Sequence, residues 1–182
     1  MKIIYDTTIF NFQKYGGVSR YFNEIIERVR KSSGVNVGIF KGFKGRLARF
    51  NGILIGNKFK TGKYDIYHPT YYSRLVKKRK DIKTVITIYD MIHELYLGDG
   101  NQFSSDILIK KQSIANADHL ICISKSTKRD LQRIYGIEDG RISVIYLGAP
   151  LAVQGLKTYN IPHKPYILYV GKRGLYKNFS TL

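Results

Sequence analysis

Continuous apolar runs, without polar alternation, constrain this fold more than any other feature of the sequence. The longest of them predict strands at Lys2–Asp6, Thr84–Tyr89 and His119–Ile123. Shorter runs predict three more strands, at Val35–Phe40, Ile66–His68 and Ile142–Ile145. A strand with one face in water alternates apolar and polar residues, whereas a strand covered on both faces does not. The pattern therefore predicts a parallel sheet that is buried on both faces.

Helical segments separate these strands along the chain. Apolar residues recur every three or four positions in Val18–Lys31 and would form one buried helix face. Two more helices are predicted at Ser104–Ala117 and Ser124–Tyr135, and the second ends at Gly136. In the glycine-rich stretch between the second and third strands, only a short helix around Arg46–Phe50 is indicated. We therefore predict the α/β class, with a Rossmann-like parallel sheet and helices on both faces.

The chain divides into one predicted domain, a linker and the start of a second domain. Residues 1–149 contain the six strands, and residues 150–165 form a linker that contains three of the four prolines. Residues 166–182 contain a predicted buried strand, Tyr166–Val170, and then a basic glycine turn, Gly171–Asn178. A strand that leads into a phosphate-type turn normally opens a further α/β domain. We therefore expect a chain truncated at the start of a second domain.

Composition indicates a soluble globular protein of a reducing compartment. The chain is 43% hydrophobic and 13% aromatic, which excludes a disordered chain, and no apolar run is long enough to span a bilayer. The single cysteine, Cys122, lies in an apolar run and cannot form an internal disulfide. No charged and apolar leader opens the sequence. We therefore expect a cytoplasmic protein.

Positive charge is the strongest compositional signal. The chain has 31 Lys and Arg against 13 Asp and Glu, a net charge of +18. Thirteen of the basic residues lie between Lys41 and Lys83, where the acidic residues are Asp65 and Asp81. This stretch favours an anionic partner, and we expect an anionic membrane surface or a lipid-phosphate substrate. Nucleic acid is the alternative, although no helix-turn-helix or zinc spacing supports it.

Ligands of parallel α/β proteins bind beyond the carboxyl ends of the strands, so the loops there hold the candidate site residues. Gly16 and Gly17 follow the first strand and open a helix, where free N–H groups could receive a phosphate. Arg20 lies one turn further along this helix. The dinucleotide fingerprint needs three glycines directly after the strand, so a nicotinamide dehydrogenase is disfavoured.

Three more loops carry polar residues suited to binding or proton transfer. They contain His68 with Tyr71 and Tyr72, then Asp90 with His93 and Glu94, and then Lys125 with Arg129. His93, beside two carboxylates, could be held charged or oriented toward a substrate hydroxyl. The structural alternatives are a hydrogen-bonding role for His68, a capping role for Asp90 and a helix cap at Ser124.

Together these segments resemble the N-terminal half of the retaining glycosyltransferases of family 4, which have the GT-B fold. The resemblance rests on YGGVSRYFNEI, DIYHPTYY, TVITIYDMIHELY, NADHLICISKSTKRDL, RISVIYLG and YILYVGKRGLYKN, in the order such enzymes use. The chain looks most like bacterial mannosyltransferases and related enzymes that assemble surface polysaccharides. The resemblance implies two Rossmann-like domains that face each other across a cleft. The N-terminal domain would bind mainly the acceptor and the missing C-terminal domain the nucleotide sugar.

The resemblance also implies roles for individual residues toward the donor. Gly16, Gly17 and Arg20 match the glycine loop near the donor diphosphate. Lys172, Arg173 and Lys177 match the basic residues that neutralise the departing nucleotide. Fixed cations there would stabilise the charge that develops on the leaving diphosphate. No metal ion or other cofactor is expected.

The resemblance places the catalytic residues in the loop after the fourth strand. Asp90 and His93 match the loop that reaches the sugar and the acceptor. Many relatives carry a histidine directly before this aspartate, where this chain has Tyr89, so His93 is our preferred contact to the donor sugar. The predicted acceptor-binding residues are His68, Tyr71, Tyr72, Glu94, Lys125 and Arg129.

The resemblance predicts retaining transfer of a hexose, such as mannose, from a nucleoside diphosphate sugar to a glycan or lipid-linked acceptor. The family's donor-side carboxylate pair would fall beyond Leu182, so we expect the 182 residues alone to transfer no sugar. One alternative is a non-catalytic module that binds acceptor or lipid, or a half-enzyme that needs a partner chain. A nucleic-acid-binding protein, whose affinity would fall steeply with salt, is the other alternative.

Overall fold

The computed structural model describes residues 1–40, 63–74, 76–96, 104–148, 164–170, 173 and 179–181. The strands in these ranges are β1 (Lys2–Asp6), β2 (Asn36–Phe40), β3 (Ile66–His68), β4 (Lys83–Ile88), β5 (His119–Cys122) and β6 (Ile142–Val144). The α-helices are α1 (Thr8–Phe12), α2 (Gly17–Lys31), α3 (Ile92–Tyr96), α4 (Ser104–Asn116) and α5 (Lys125–Tyr135). Short 3-10 turns lie at Asp139–Arg141 and Phe179–Thr181. None of the helices in these ranges has both the length and the hydropathy to cross a bilayer.

The six strands form one parallel sheet in the order β2-β1-β3-β4-β5-β6. Ile4 of β1 pairs with Gly38 of β2 on one side and with Tyr67 of β3 on the other. Because the chain moves outward from β1 to β2 and then returns to the other side of β1, the strand order reverses at β1 and β3. The predicted Rossmann-like α/β class is confirmed, and this reversal marks where such sheets bind ligands.

Side chains of the strands alternate between two apolar layers that helices cover. On one face, Ile3 and Tyr5 of β1 pack with Phe22 and Ile26 of α2. On the other face, the buried cluster under α4 and α5 contains Ile86, Ile88, Ile114, Leu120, Leu131 and Ile142. Full burial of each such side chain stabilises the fold by about 1.5–3 kcal/mol. Both faces of the sheet are thus covered, as the unbroken apolar runs predicted.

The chain splits into two compact units, residues 1–147 and 148–182. In the second unit, the buried strand predicted at Tyr166–Val170 is wrong, because these residues form no strand. The apolar side chains of Tyr166, Ile167, Leu168 and Val170 are exposed. A strand needs neighbours that complete its backbone hydrogen bonds, and the described residues of this unit supply no such neighbour. The predicted helix at Arg46–Phe50 and the prolines of the predicted linker except Pro165 lie outside the described residues.

Candidate functional site

The carboxyl edge of the sheet at β1, β3 and β4 is the candidate functional site. Two contacts join Tyr89, which directly follows β4, to the helices that follow β1 and β5. The Tyr89 ring packs against Tyr21 of α2, with ring centroids 5.6 Å apart. Thr127, in the first turn of α5, donates its hydroxyl to the Tyr89 carbonyl at 3.2 Å. The second turn of α2 and the first turn of α5 are therefore tied to the loop after β4.

The start of α2 offers an uncapped helix end at this edge. Gly16 is the N-cap residue, has an extended backbone with φ 171°, and supplies no side-chain cap. A Cβ on Gly17 would meet no atom within 4 Å, so the helix end is open beside this residue. Arg20 is exposed one turn along. Free N–H groups, the positive end of the helix dipole and a guanidinium together suit an anion.

Asp6, at the end of β1, is a buried carboxylate that sequence reasoning missed. Its oxygens accept hydrogen bonds from Tyr67 Oη at 2.7 Å and from Thr70 Oγ1 at 2.6 Å. They also accept the backbone N–H groups of Thr8 and Thr70, each at 3.0 Å. Asp6 thereby fixes the segments after β1 and β3 to each other. Its position as the last residue of a predicted strand was the signal, because that position faces the ligand edge.

His68 lies in the core, and its predicted contact with the acceptor stays a prediction. Its ring packs against Tyr5 at 5.4 Å and Phe22 at 5.2 Å between centroids. The ring Nε2 is 3.0 Å from Thr87 Oγ1. Burial lowers the pKa of His68 to about 4, so the ring is neutral at pH 7. The physical reason is strand alternation, which turns His68 toward α2 with Tyr5.

Tyr71 and Tyr72 line the segment after β3 in a row of aromatic rings. Tyr71 lies between Phe12 at 6.3 Å and Tyr72 at 5.0 Å, and Phe12 is 76% exposed. Burial raises the pKa of Tyr72 well above its ordinary value, and nearby Asp90 adds to this rise. An exposed ring edge beside half-buried tyrosines suits a sugar face, but the acceptor role of Tyr71 and Tyr72 stays a prediction.

Asp90 and His93 lie at the carboxyl end of β4, where the sequence analysis placed a loop and the structure has the short helix α3. Asp90 is exposed, and its Oδ1 accepts the N–H of Ile92 at 3.2 Å at the start of α3. His93 lies within α3 and is half-buried. The helix holds His93 on a regular backbone directly after the exposed carboxylate. Their catalytic role stays a prediction.

Glu94 faces inward, and its predicted role in acceptor binding stays a prediction. Its side chain is 4% exposed and forms an ion pair with Lys110 of α4, whose side chain is 7% exposed. Tyr135, the last residue of α5, donates its hydroxyl to Glu94 Oε1 at 3.1 Å. A carboxylate buried in this way is held in place by its partners. Lys110 and Tyr135 carried no signal in the sequence, because a lysine on a helix is usually solvated.

Basic residues at the start of α5 add positive charge at the same edge of the sheet. Lys125 and Arg129 are exposed in the first turns of α5. Ser124 accepts the N–H of Thr127 at 3.0 Å, so its predicted role as the helix cap is confirmed. The acceptor role of Lys125 and Arg129 stays a prediction.

The second unit contains the remaining predicted cations, Lys172, Arg173 and Lys177. Lys172 and Lys177 lie outside the described residues. The guanidinium of Arg173 lies 4.7 Å from the centre of the Phe179 ring. The role of these three residues toward a diphosphate stays a prediction.

Tyr89 occupies the centre of the site and was singled out only as a departure from relatives. Its hydroxyl is buried and has no hydrogen-bond partner within the part of the chain that the structure describes. Burial raises the pKa of Tyr89 above its ordinary value, and the nearby tyrosines Tyr21 and Tyr72 raise it further. Tyr89 is therefore a neutral phenol at any physiological pH.

The arrangement combines an uncapped helix start, which suits an anion, with the carboxylate of Asp90 and the imidazole of His93 on the segment after β4. Across the described ranges, no group of three His, Cys, Asp or Glu side chains is arranged to hold a metal ion. Residues 15–153 match the family model described as Glycosyltransferase Family 4. This match includes every candidate residue of the first unit. No curated protein matches the chain significantly.

Proposed function

The chain belongs to Glycosyltransferase Family 4, and from that premise we propose that it is the acceptor-side domain of a retaining hexosyltransferase. The donor is a nucleoside diphosphate hexose, mannose or a similar sugar. The acceptor is a glycan or a lipid-linked glycan of surface polysaccharide synthesis. Transfer requires a donor-binding domain of the kind that this family joins to the acceptor domain.

The open start of α2 is the observation that carries this proposal. Departure of a nucleoside diphosphate leaves negative charge on its phosphates, and preorganised donors lower the energy of that charge in the transition state. The uncapped N–H groups after Gly16 and the exposed Arg20 supply such donors. By the resemblance to this family, we further propose that Lys172, Arg173 and Lys177 neutralise the departing nucleotide and that no metal ion takes part.

Polar groups for the sugar and the acceptor follow from the other segments at this edge. His93 and Asp90 contact the sugar and the acceptor hydroxyl. One of these two side chains donates or accepts a proton during the transfer. Tyr71, Tyr72, Lys125 and Arg129 bind the acceptor. The basic stretch between Lys41 and Lys83 contacts an anionic membrane from the cytoplasmic side. This contact brings the enzyme to a lipid-linked acceptor.

Substitution of Gly17 by valine tests the carrying observation. A Cβ at Gly17 meets no atom within 4 Å, so the variant folds, while the added methyl groups occupy the space that a diphosphate would enter. The matched control is Gly140→Val, since a Cβ at Gly140 also meets nothing within 4 Å. Gly140 precedes β6 and therefore lies at the opposite edge of the sheet.

The assay measures release of nucleoside diphosphate from a panel of nucleoside diphosphate hexoses, with lipid-linked acceptors and the donor-binding domain present. We expect Gly17→Val to lower kcat/KM by about a hundredfold and Gly140→Val to leave it unchanged. Proton NMR of the product reports the anomeric configuration, and inversion would contradict the retaining mechanism. Equal turnover by Gly17→Val and the parent protein would contradict the proposed diphosphate site. Vesicle or acceptor binding with no turnover of any donor would favour the non-catalytic module.

A further inference from the structure

A buried lysine lies directly behind the segment that carries Asp90 and His93. Lys110 Nζ donates a hydrogen bond to the Asp90 carbonyl oxygen at 2.5 Å and another to Glu94 Oε2 at 3.0 Å. Asp90 precedes α3 and Glu94 lies within it, so one ammonium group holds both ends of the segment that contains His93. Lys110 comes from α4, a separate helix.

Burial makes these contacts restrictive. An ammonium group removed from water must direct its three N–H donors at protein groups, because an unsatisfied buried charge is costly. Lys110 Nζ also lies 5.5 Å from the centre of the Tyr72 ring, whose face attracts a cation. Glu94 is held in turn by the hydroxyl of Tyr135 at 3.1 Å. Few other positions of the segment from Asp90 to Glu94 would keep the hydrogen bonds and ion pair of Lys110 and Glu94 together.

The segment needs such support, because α3 has only five residues. A helix this short is unstable without tertiary contacts. The Asp90 side chain is exposed and supports the segment through the N–H of Ile92. Lys110 and Glu94 therefore supply the buried attachment that fixes α3 to the body of the domain.

We propose that Lys110 is a positioning residue, which holds Asp90 and His93 in the geometry required for sugar transfer. This inference rests on the proposed function, since that proposal places Asp90 and His93 at the sugar and the acceptor. Lys110 itself is behind the segment and contacts no substrate.

The test compares Lys110→Met and Lys110→Arg with a matched control, Lys111→Met. Lys111 is the neighbouring residue of α4 and is exposed. Since Lys110→Met leaves the Glu94 carboxylate buried without its cation, the double variant Lys110→Met with Glu94→Gln removes both charges. It keeps the test valid if the single variant does not fold.

The first readout is independent of activity and uses the 182-residue chain. The ring resonances of His93 are followed by NMR and assigned by their loss in His93→Gln, and amide hydrogen exchange is measured over residues 90–95. We expect Lys110→Met or the double variant to shift the His93 resonances and to speed exchange by about tenfold or more. Lys110→Arg restores part of the parent behaviour, and Lys111→Met matches the parent. A folded Lys110→Met protein with unchanged His93 resonances and exchange would overturn the proposal.

The second readout is sugar transfer with the donor-binding domain present. We expect Lys110→Met to lower kcat by about tenfold or more, because a small misplacement of reacting groups is costly, while KM changes by less than about threefold. A loss confined to KM would also overturn a positioning role. Absence of transfer by the parent protein would contradict the proposed function, and the NMR readout would then still decide whether Lys110 fixes this segment.

Discussion

At the scale of single residues, Asp6 is the polar group on which the ligand edge most depends. Its carboxylate accepts four hydrogen bonds, including those of Tyr67 and Thr70. We expect Asp6→Asn to lower the free energy of unfolding by about 3 kcal/mol, because the amide group presents N–H donors to donors in a buried site. Chemical denaturation measures this change.

Asp65 provides the matched control for Asp6. Its Oδ2 accepts the N–H of Lys2 at 2.7 Å, but the residue is exposed. Asp65→Asn should cost about 1 kcal/mol or less, because water replaces the lost interaction. Equal losses of unfolding free energy in the two variants would contradict a larger contribution of the buried Asp6 hydrogen bonds to stability.

His68 should make stability depend on pH between about 4 and 6.5. Burial lowers its pKa to about 4 in the folded protein, from an ordinary value of 6.5. The unfolded chain therefore binds a proton at higher pH than the folded protein does. The full contribution of the neutral ring is present above pH 6.5 and is lost as the pH falls toward 4. The expected loss of unfolding free energy is about 3 kcal/mol.

The measurement is chemical denaturation at several pH values between 4 and 7, together with an NMR titration of the His68 ring. His68→Gln removes this titration and should flatten the dependence in this window. Carboxyl groups with lowered pKa, such as that of Asp118, act mainly below about pH 5, and the comparison with His68→Gln separates their effect. An unchanged slope in His68→Gln would assign the dependence to other groups.

Single residues also show where sequence reasoning reached its limit. Glu94 was predicted to bind the acceptor and Lys110, 16 residues away, was not singled out, although the two side chains form a buried ion pair. Sequence shows charge but not burial, and burial depends on how α3 and α4 pack. The burial of His68 was not evident from the sequence for the same reason, since its position at a strand end did not reveal which face of the sheet it occupies.

At the scale of elements, the caps of α5 were predictable because they rest on local chemistry. Ser124 accepts the N–H of Thr127 at 3.0 Å, and Gly136 ends the helix with φ 62°, a conformation that favours glycine. The short helices α1 and α3 were missed, because five residues give too few turns for an apolar period to appear. Longer helices and buried strands carried enough repeats to be predicted within one or two residues.

Removal of the Ser124 cap should destabilise the domain. We expect Ser124→Ala to lower the free energy of unfolding by about 1 kcal/mol, because the first-turn N–H of Thr127 loses its acceptor. Ser126→Ala, at an exposed position in the same turn, should cost little or stabilise slightly, since alanine favours helix. The two variants are compared by thermal denaturation. A larger loss in Ser126→Ala would contradict the assigned cap.

At the scale of the whole molecule, the parallel sheet separates two polar edges. The candidate site lies at the carboxyl edge, whereas Lys77–Lys80 precede β4 and lie near its amino end. Lys78 pairs there with Asp118, directly before β5, at 2.9 Å. Sequence reasoning found both these lysines and the site loops, but only the parallel strand arrangement places them at opposite edges.

This separation predicts which edge meets an anionic membrane. Lys77 and Lys80 are exposed at the amino edge, and each lysine near an anionic surface contributes about 1 kcal/mol of attraction. We therefore expect the double variant Lys77→Glu with Lys80→Glu to weaken binding to vesicles that contain anionic lipid by about tenfold or more. The matched control, Lys125→Glu with Arg129→Glu, makes the same change of charge at the carboxyl edge. Flotation at low and high salt measures both. A greater loss of binding in the control would indicate that the carboxyl edge, with its candidate site, faces the lipid. If the parent protein does not float with the vesicles at low salt, the membrane contact is refuted.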